Sequence, residues 1–143
     1  MTIQDVMTPH VETIGPDASI KECAQKMKSL DVGVMPVAEG GQIIGMLTDR
    51  DIAIRATAEG RGPSTKVREV MTRDVEYCLL DQDIEEAARL MQEKQIRRVV
   101  VMDHDRNLAG ILSLGDLAVD VGGKVSEETL ERVSEPSKPR RAA

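Results

Sequence analysis

The sequence predicts an α/β (α+β) fold made of two β-α-β-β-α repeats, and three observations lead there. Gly45-Met46-Leu47-Thr48-Asp49-Arg50-Asp51 returns later as Gly110-Ile111-Leu112-Ser113-Leu114-Gly115-Asp116: a glycine, two apolar residues, a hydroxyl residue, and an aspartate three positions on. Met7-Thr8 returns as Met71-Thr72, an offset of 64 residues, and the same offset carries Ile20, Cys23, Ala24 and Met27 onto Ile84, Ala87, Ala88 and Met91, and Met35-Pro36-Val37 onto Val99-Val100-Val101. By Gly45 and Gly110 the offset is 65, because the turn Glu39-Gly40-Gly41 faces the longer Asp103-His104-Asp105-Arg106. Insertions collect in surface turns, so the slip supports a true structural repeat.

Each half runs through the same elements. A short apolar helical start (Ile3, Val6, Met7; later Val67, Val70, Met71) leads to an extended segment near residues 11–14 or 75–79. An amphipathic helix follows, with Ile20, Cys23, Ala24, Met27 and Leu30 on one face. Ser19 with Glu22 forms a capping box at its start, and Asp83 with Glu86 is the second copy. Two β-rich runs come next, over residues 32–37 with 42–47 and 96–102 with 107–112, joined by turns at Gly40-Gly41 and 103–107. A second helix starts at the hydroxyl residue, spanning 48–58 and 113–121. The expected organisation is a first repeat over 2–58, a linker over 59–66 (Glu59-Gly60-Arg61-Gly62-Pro63-Ser64 at its heart), a second repeat over 67–121, a C-terminal helix over 122–133, and a disordered tail over 134–143.

Composition narrows the function. A chain of 143 residues buries one respectable core, which two half-units of about 60 residues are expected to share. Tyr77 is the single aromatic residue, so the core must be Val, Ile, Leu, Met and Ala, and no stacking platform for single-stranded nucleic acid exists. A net charge of −6 and a pI near 5.0 argue against general phosphate-backbone binding. No apolar run approaches membrane-spanning length, and the first residues lack the basic and apolar blocks of a signal peptide. Cys23 and Cys78 are not equivalent in the repeat and form no CxxC pair; Cys23 on an apolar helix face reads as a buried thiol. A reducing cytoplasm is the expected location.

The twin hydroxyl-aspartate pairs, Thr48 with Asp51 and Ser113 with Asp116, are the leading candidates for chemistry. By itself a hydroxyl followed three residues later by an acid is a helix cap and needs no ligand. The same aspartate also suits a vicinal diol, since a carboxylate accepts two hydroxyl hydrogen bonds worth about 1.5–3 kcal/mol each. The free N–H groups of the helix start favour an anionic ligand. Arg97 and Arg98 open an otherwise apolar strand; adjacent strand residues face opposite ways, so both cannot be core. One guanidinium can clamp a phosphate. The matching positions in the first half are Gly33 and Val34, so the two sites differ in charge. Asp49 and Asp51, two apart, diverge and have no third acid or histidine nearby, which disfavours a metal pair. His10 and His104 lie in turn-like settings with no partner in the repeat, and solvent exposure is expected for both. No catalytic constellation is apparent.

These residues resemble a tandem pair of CBS domains, a Bateman module of the stand-alone prokaryotic type. The resemblance rests on the β-α-β-β-α repeat, the Val-Met-Thr segments at 6–8 and 70–72, and the Gly-x-x-Thr/Ser-x-x-Asp endings, and covers residues 2–121. It implies two repeats related by a pseudo-two-fold axis, sheets packed together, leaving two clefts. It implies a non-catalytic regulatory module with no required cofactor and no metal. Its ligand would be AMP, ADP or ATP, with S-adenosylmethionine or NAD(H) as further members of the class. By the resemblance, the ribose sits on Thr48 and Asp51, or Ser113 and Asp116. Adenine sits among Met7 or Met71 and the strand segments Val34-Met35-Pro36 or Val99-Val100, and phosphates meet Arg97 and Arg98. A homodimer forming a four-repeat disc, and a protein partner that reads the bound state, are also implied. The sequence departs from the pattern at Val100, where many repeats have the proline seen at Pro36, and at the uncharged Gly33-Val34. The alternative reading is a structural or dimerisation module in which both hydroxyl-aspartate pairs are only caps. A third, an enzyme using Asp49, Asp51 or a cysteine, lacks a supplied base. The ligand reading expects each aspartate to face a cavity.

Overall fold

The computed structural model describes residues 1–120; the expected C-terminal helix over 122–133 and tail over 134–143 lie outside the described residues. In chain order the elements are α1 (Ile3–Val6), β1 (Thr8–Pro9), α2 (Ile20–Leu30), β2 (Val34–Glu39), β3 (Gln42–Thr48), α3 (Asp49–Asp51), α4 (Val67–Val70), β4 (Tyr77–Leu79), α5 (Ile84–Lys94), β5 (Arg98–Met102), β6 (Leu108–Ser113) and α6 (Leu114–Asp120). Of the described residues, one compact unit takes 1–11 and 76–120 and the other takes 12–75. The leading segment of each repeat therefore belongs with the hairpin of the other.

The 1–11/76–120 unit is a four-stranded sheet in the order β1-β6-β5-β4. Thr8 pairs antiparallel with Ile111, β5 and β6 form the hairpin, and Cys78 pairs parallel with Val101. The 12–75 unit repeats this arrangement with thinner edges. Its hairpin is β2-β3, Thr72 bridges antiparallel to Met46, and Ile14 bridges parallel to Val37. Each of these partners stands where the repeat offset puts it.

The helices form for the reasons their sequences suggest. In α2, Ile20, Cys23 and Met27 share the buried face, and Ser19 Oγ accepts from Glu22 N at 3.1 Å. In α5, Ile84, Ala87, Ala88 and Met91 are buried. Its cap differs from the expected box: Asp83 accepts from Glu85 N at 2.9 Å, while the Glu86 carboxylate accepts from Gln82 Nε2. Gln82 lies one turn back from Glu86, and its amide takes the carboxylate that a box would turn to the cap. Both helices stop at a residue in the left-handed region, Asp31 at φ 55° and Gln95 at φ 52°, the conformation in which a C-terminal cap closes.

The second helix of the first repeat is not uniform. After α3 the chain continues over Ile52–Thr57 as a π-helix, with Ala58 N donating to Ala53 O at 2.9 Å. Its buried position, Ala56, comes five residues after the buried Asp51 of α3, a spacing that matches the wider π period rather than the α period. α6 is regular, and buries Leu114 and Leu117 instead.

Both cores are aliphatic. Ile3, Met91, Val99, Val101, Leu112 and Leu117 are sealed in one unit, and Met35, Val37, Leu47, Val67 and Cys23 in the other. Each such side chain stabilises its unit by about 1.5–3 kcal/mol. Burial pushes the Cys23 and Cys78 thiols up to about 11, so neither is a nucleophile near neutrality. No helix among the described residues is long and apolar enough to cross a membrane.

The longer second turn is pinned at its tip. His104 is exposed, but its Nε2 lies 2.7 Å from Asp81 Oδ2, which raises the imidazole above its ordinary value and lowers the carboxyl. The raised His104 pKa gives a stabilising term that is complete below about pH 6.5 and lost as pH rises through the folded-state value. The lowered Asp81 pKa sets the acid limit, its term being lost as pH falls through the depressed carboxyl value. We expect the His104 imidazole, followed by NMR, to titrate above 6.5 in the native protein and to move down in Asp81→Asn.

Candidate functional site

Both hydroxyl-aspartate pairs are helix caps. Asp51 N donates to Thr48 Oγ1 at 3.0 Å and Thr48 N donates to Asp51 Oδ2 at 3.0 Å. Asp116 N donates to Ser113 Oγ at 3.0 Å and Ser113 N donates to Asp116 Oδ2 at 2.8 Å. In each case the cap occupies one carboxylate oxygen. The Asp51 side chain is 1% exposed and its Oδ1 is buried with no hydrogen-bond partner, a state that costs about 1–3 kcal/mol. Thr72 Oγ1, on the segment that bridges to Met46, is likewise buried and unpartnered. Asp116, Ser113 and Met7 are half-buried, so the 1–11/76–120 unit presents the more open of the two arrangements.

The strand register places the remaining candidates beside these caps. Thr48 stands opposite Val34, and Ser113 stands opposite Arg98. Met35, Pro36, Val99 and Val100 are buried in the same strands, while Val34 is half-buried. Arg97 and Arg98 are both exposed, and among the described residues neither guanidinium is paired. Asp49 and Asp51 do diverge: Asp49 is exposed while Asp51 is buried.

The glycine that opens each motif has a steric reason. A β-carbon on Gly110 would fall 2.5 Å from Thr8 O and 2.9 Å from Met7 Sδ; one on Gly45 would fall 2.6 Å from Met71 Sδ and 2.9 Å from Thr72 O. The leading segment is laid directly on the hairpin, and only hydrogen leaves room for it. The methionine side chain thereby comes to lie against the glycine that opens each motif.

Two features escaped the sequence reading. Arg55, one turn after Asp51, donates to Val70 O at 3.2 Å and Met71 O at 3.0 Å, tying the π-helix to the leading segment. Its spacing from Asp51 was the available signal, but a solvated arginine looks the same in sequence. Asp49 lies over Gly33, where a β-carbon would fall 2.8 Å from Oδ2, and its N donates to Gly33 O at 3.0 Å. A surface depression of about 470 Å³ opens there, lined by Ala24, Met27, Lys28, Asp31, Val32, Gly33, Asp49 and Ile52. Thr48 and Asp51 do not line it.

Comparison with known proteins decides the family: the CBS domain matches twice, over residues 3–56 and 67–121. The chain belongs to the CBS-domain family, as a tandem pair. This CBS pair is 46% identical to the CBS domain-containing protein YhcV of Bacillus subtilis, over 83% of this chain and 84% of that protein. It is 35% identical to hypoxic response protein 1 of Mycobacterium tuberculosis, over 82% of each. Among solved structures it is similar to the CBS domain pair of protein MJ0100 in complex with 5′-methylthioadenosine and S-adenosyl-L-methionine, with a TM-score of 0.75 at 26% identity, covering 82% of this chain and 93% of that one. The CBS pair is a regulatory module.

We expect Gly110→Ala to destabilise the CBS pair by about 1–3 kcal/mol, since Thr8 O is backbone and must shift. Gly45→Ala should cost less, because the flexible end of Met71 meets the new carbon first. Denaturant midpoints of the two variants check the order.

Proposed function

We propose that this CBS pair is a ligand-sensing module that binds an adenosyl nucleotide of the AMP, ADP or ATP class at one or both hydroxyl-aspartate sites, in the cytoplasm, without catalysis. The observation that supports this best is the uncommitted carboxylate oxygen left by each cap. In the 12–75 unit that oxygen, Asp51 Oδ1, is buried without a partner, and a ribose hydroxyl would satisfy it. A cap alone needs only the oxygen already used.

The rest of the proposed site follows the same geometry. Adenine would lie against Met71 with Val34, Met35 and Pro36, or against Met7 with Val99 and Val100. Methionine suits this place because its flexible thioether can move aside for a ring and then pack on it. Phosphates would meet Arg97 and Arg98. Protein MJ0100, a structural relative, is complexed with adenosyl compounds, which supports the same ligand class here. The bound state would pass to a protein partner by shifting a packing equilibrium, which requires the ligand to favour one of two states.

We also propose a homodimer through the helix face. Leu30, Val32 and Ile54 are 41%, 41% and 46% exposed, and Val32 edges the depression beside Ile52. Covering them with a second copy removes apolar surface from water.

Calorimetric titration with AMP, ATP, S-adenosylmethionine and NADH tests the ligand. At least one should bind in the micromolar range, and Asp51→Ala or Asp116→Ala should each weaken one site by about tenfold or more, matching a lost charge-assisted hydrogen bond. If neither substitution alters any affinity while both variants melt cooperatively, the structural-module reading replaces this one. For the dimer, Val32→Lys or Ile54→Lys should convert the species seen by light scattering to a monomer.

A further inference from the structure

We propose that the depression beside the end of α2 is the docking place of this chain's own basic C-terminal segment, residues 136–141, whose Lys138, Arg140 and Arg141 would meet Asp31 and Asp49. The proposal is independent of the nucleotide reading, since Thr48 and Asp51 do not line this depression.

Divergence of the two copies made this place. Its lining residues Asp31, Gly33, Asp49 and Ile52 correspond in the repeat to Gln95, Arg97, Leu114 and Leu117. In the 1–11/76–120 unit Leu114 and Leu117 are buried, at 7% and 0% exposure. In the 12–75 unit Asp49 is exposed and Ile52 half-buried, so the same helix start stands open. An amide, a guanidinium and an aliphatic side chain in one copy answer to a carboxylate, a hydrogen and a second carboxylate in the other.

The charge of the depression is negative and held in place. Asp49 Oδ1 accepts from Arg50 N at 2.9 Å, and its Oδ2 lies over Gly33, 2.8 Å from where a β-carbon would stand. Asp31 caps α2 in the left-handed region, at the helix end that carries the negative pole of the backbone dipoles. Among the described residues neither carboxylate makes an ion pair, and Lys28 is the one cation of the lining. Ala24, Met27, Val32 and Ile52 supply an apolar wall. Lysine and arginine stems and proline rings can lie on such a wall while the charged ends stay wet.

The segment matches in charge and in reach. Lys138, Arg140 and Arg141 stand together in a chain of net charge −6, with Glu135 as the nearest acid before them. Pro136 and Pro139 have less backbone freedom to lose on docking than other residues would. With the expected helix over 122–133, the chain from Asp120 to Arg140 still covers about 45 Å. A unit of about 60 residues has a radius of gyration of about 10 Å, so the segment can pass well round it. Val32 belongs both to this depression and to the proposed dimer face, so the docked segment competes there with a second copy and weakens that dimer without abolishing it.

The test is NMR on the full chain with a spin label at Ala142→Cys; Cys23 and Cys78 are buried thiols and stay unlabelled. The amides of Val32, Gly33, Asp49 and Ile52 should lose intensity, and regain it as salt is added. Asp31→Asn and Asp49→Asn should each lower the docking constant by roughly twofold to fivefold, the effect of losing an exposed ion pair, and Lys28→Gln should raise it. Replacing Lys138, Arg140 and Arg141 by serine, all outside residues 1–120, should restore the intensity and tighten the dimer seen by light scattering. A mixture of spin-labelled protein and separate isotope-enriched, unlabelled protein should show no loss. Loss in that mixture means that a second copy supplies the segment, and overturns the proposal. A label that leaves these four amides untouched, or a loss that persists through both aspartate substitutions, overturns it as well. A protein that is monomeric with and without the three basic residues overturns the dimer reading and leaves the docking standing on its own signals.

Discussion

The contact on which the rest depends is the crossing of a leading segment over a glycine. Thr8 and Met7 lie on Gly110, and Thr72 and Met71 lie on Gly45, at distances that admit no side chain. That crossing adds an outer partner to each hairpin, and it sets a methionine against the glycine that opens each motif. It also explains why the compact units do not follow the order of the repeats. Residues 1–11 complete the sheet of the second hairpin, and residues 71–72 complete that of the first. Without the swap, each hairpin would present an unpaired edge.

The caps serve structure with half of their chemistry. A capping box requires a single carboxylate oxygen, and in both units it is Oδ2 that the backbone uses. Leaving Asp51 Oδ1 buried and unpartnered is a cost that helix capping does not explain. A fold that only needed the helix start could use a residue with one acceptor. The proposed grip on a ribose gives the second oxygen a role, and the same economy holds at the half-buried Asp116.

Duplication gave two sites a common geometry, and divergence then altered their charge. The backbone hydrogen bonds that join strand to helix are the same in both units, Arg97 O to Leu114 N and Gly33 O to Asp49 N. Only the side chains differ. The differences are spread unevenly: the aliphatic core positions keep their character, while the residues beside the caps exchange arginine for glycine and leucine for aspartate. The first repeat also holds the π-helix, which follows the buried Asp51, buries Ala56 and puts Arg55 on the leading segment. The two sites are therefore alike in frame and unlike in surroundings.

By itself the sequence determined the repeat, the order of the elements, the aliphatic core and the twin caps. Those follow from local periodicity and from spacings of three to four residues, which a linear reading sees directly. Ile20, Cys23 and Met27 were legible as a buried face, and Thr48 with Asp51 as a helix start. The π-helix was not legible, because five-residue burial is a packing outcome rather than a composition signal. Nor were the burial of Asp51, the role of Arg55, or the carboxylate of Asp49 lying over Gly33. Each of these arises where residues distant in sequence meet across a hairpin or a swapped strand. Only the tertiary structure brings such residues within contact distance, and charge and hydrogen bonding act at that range.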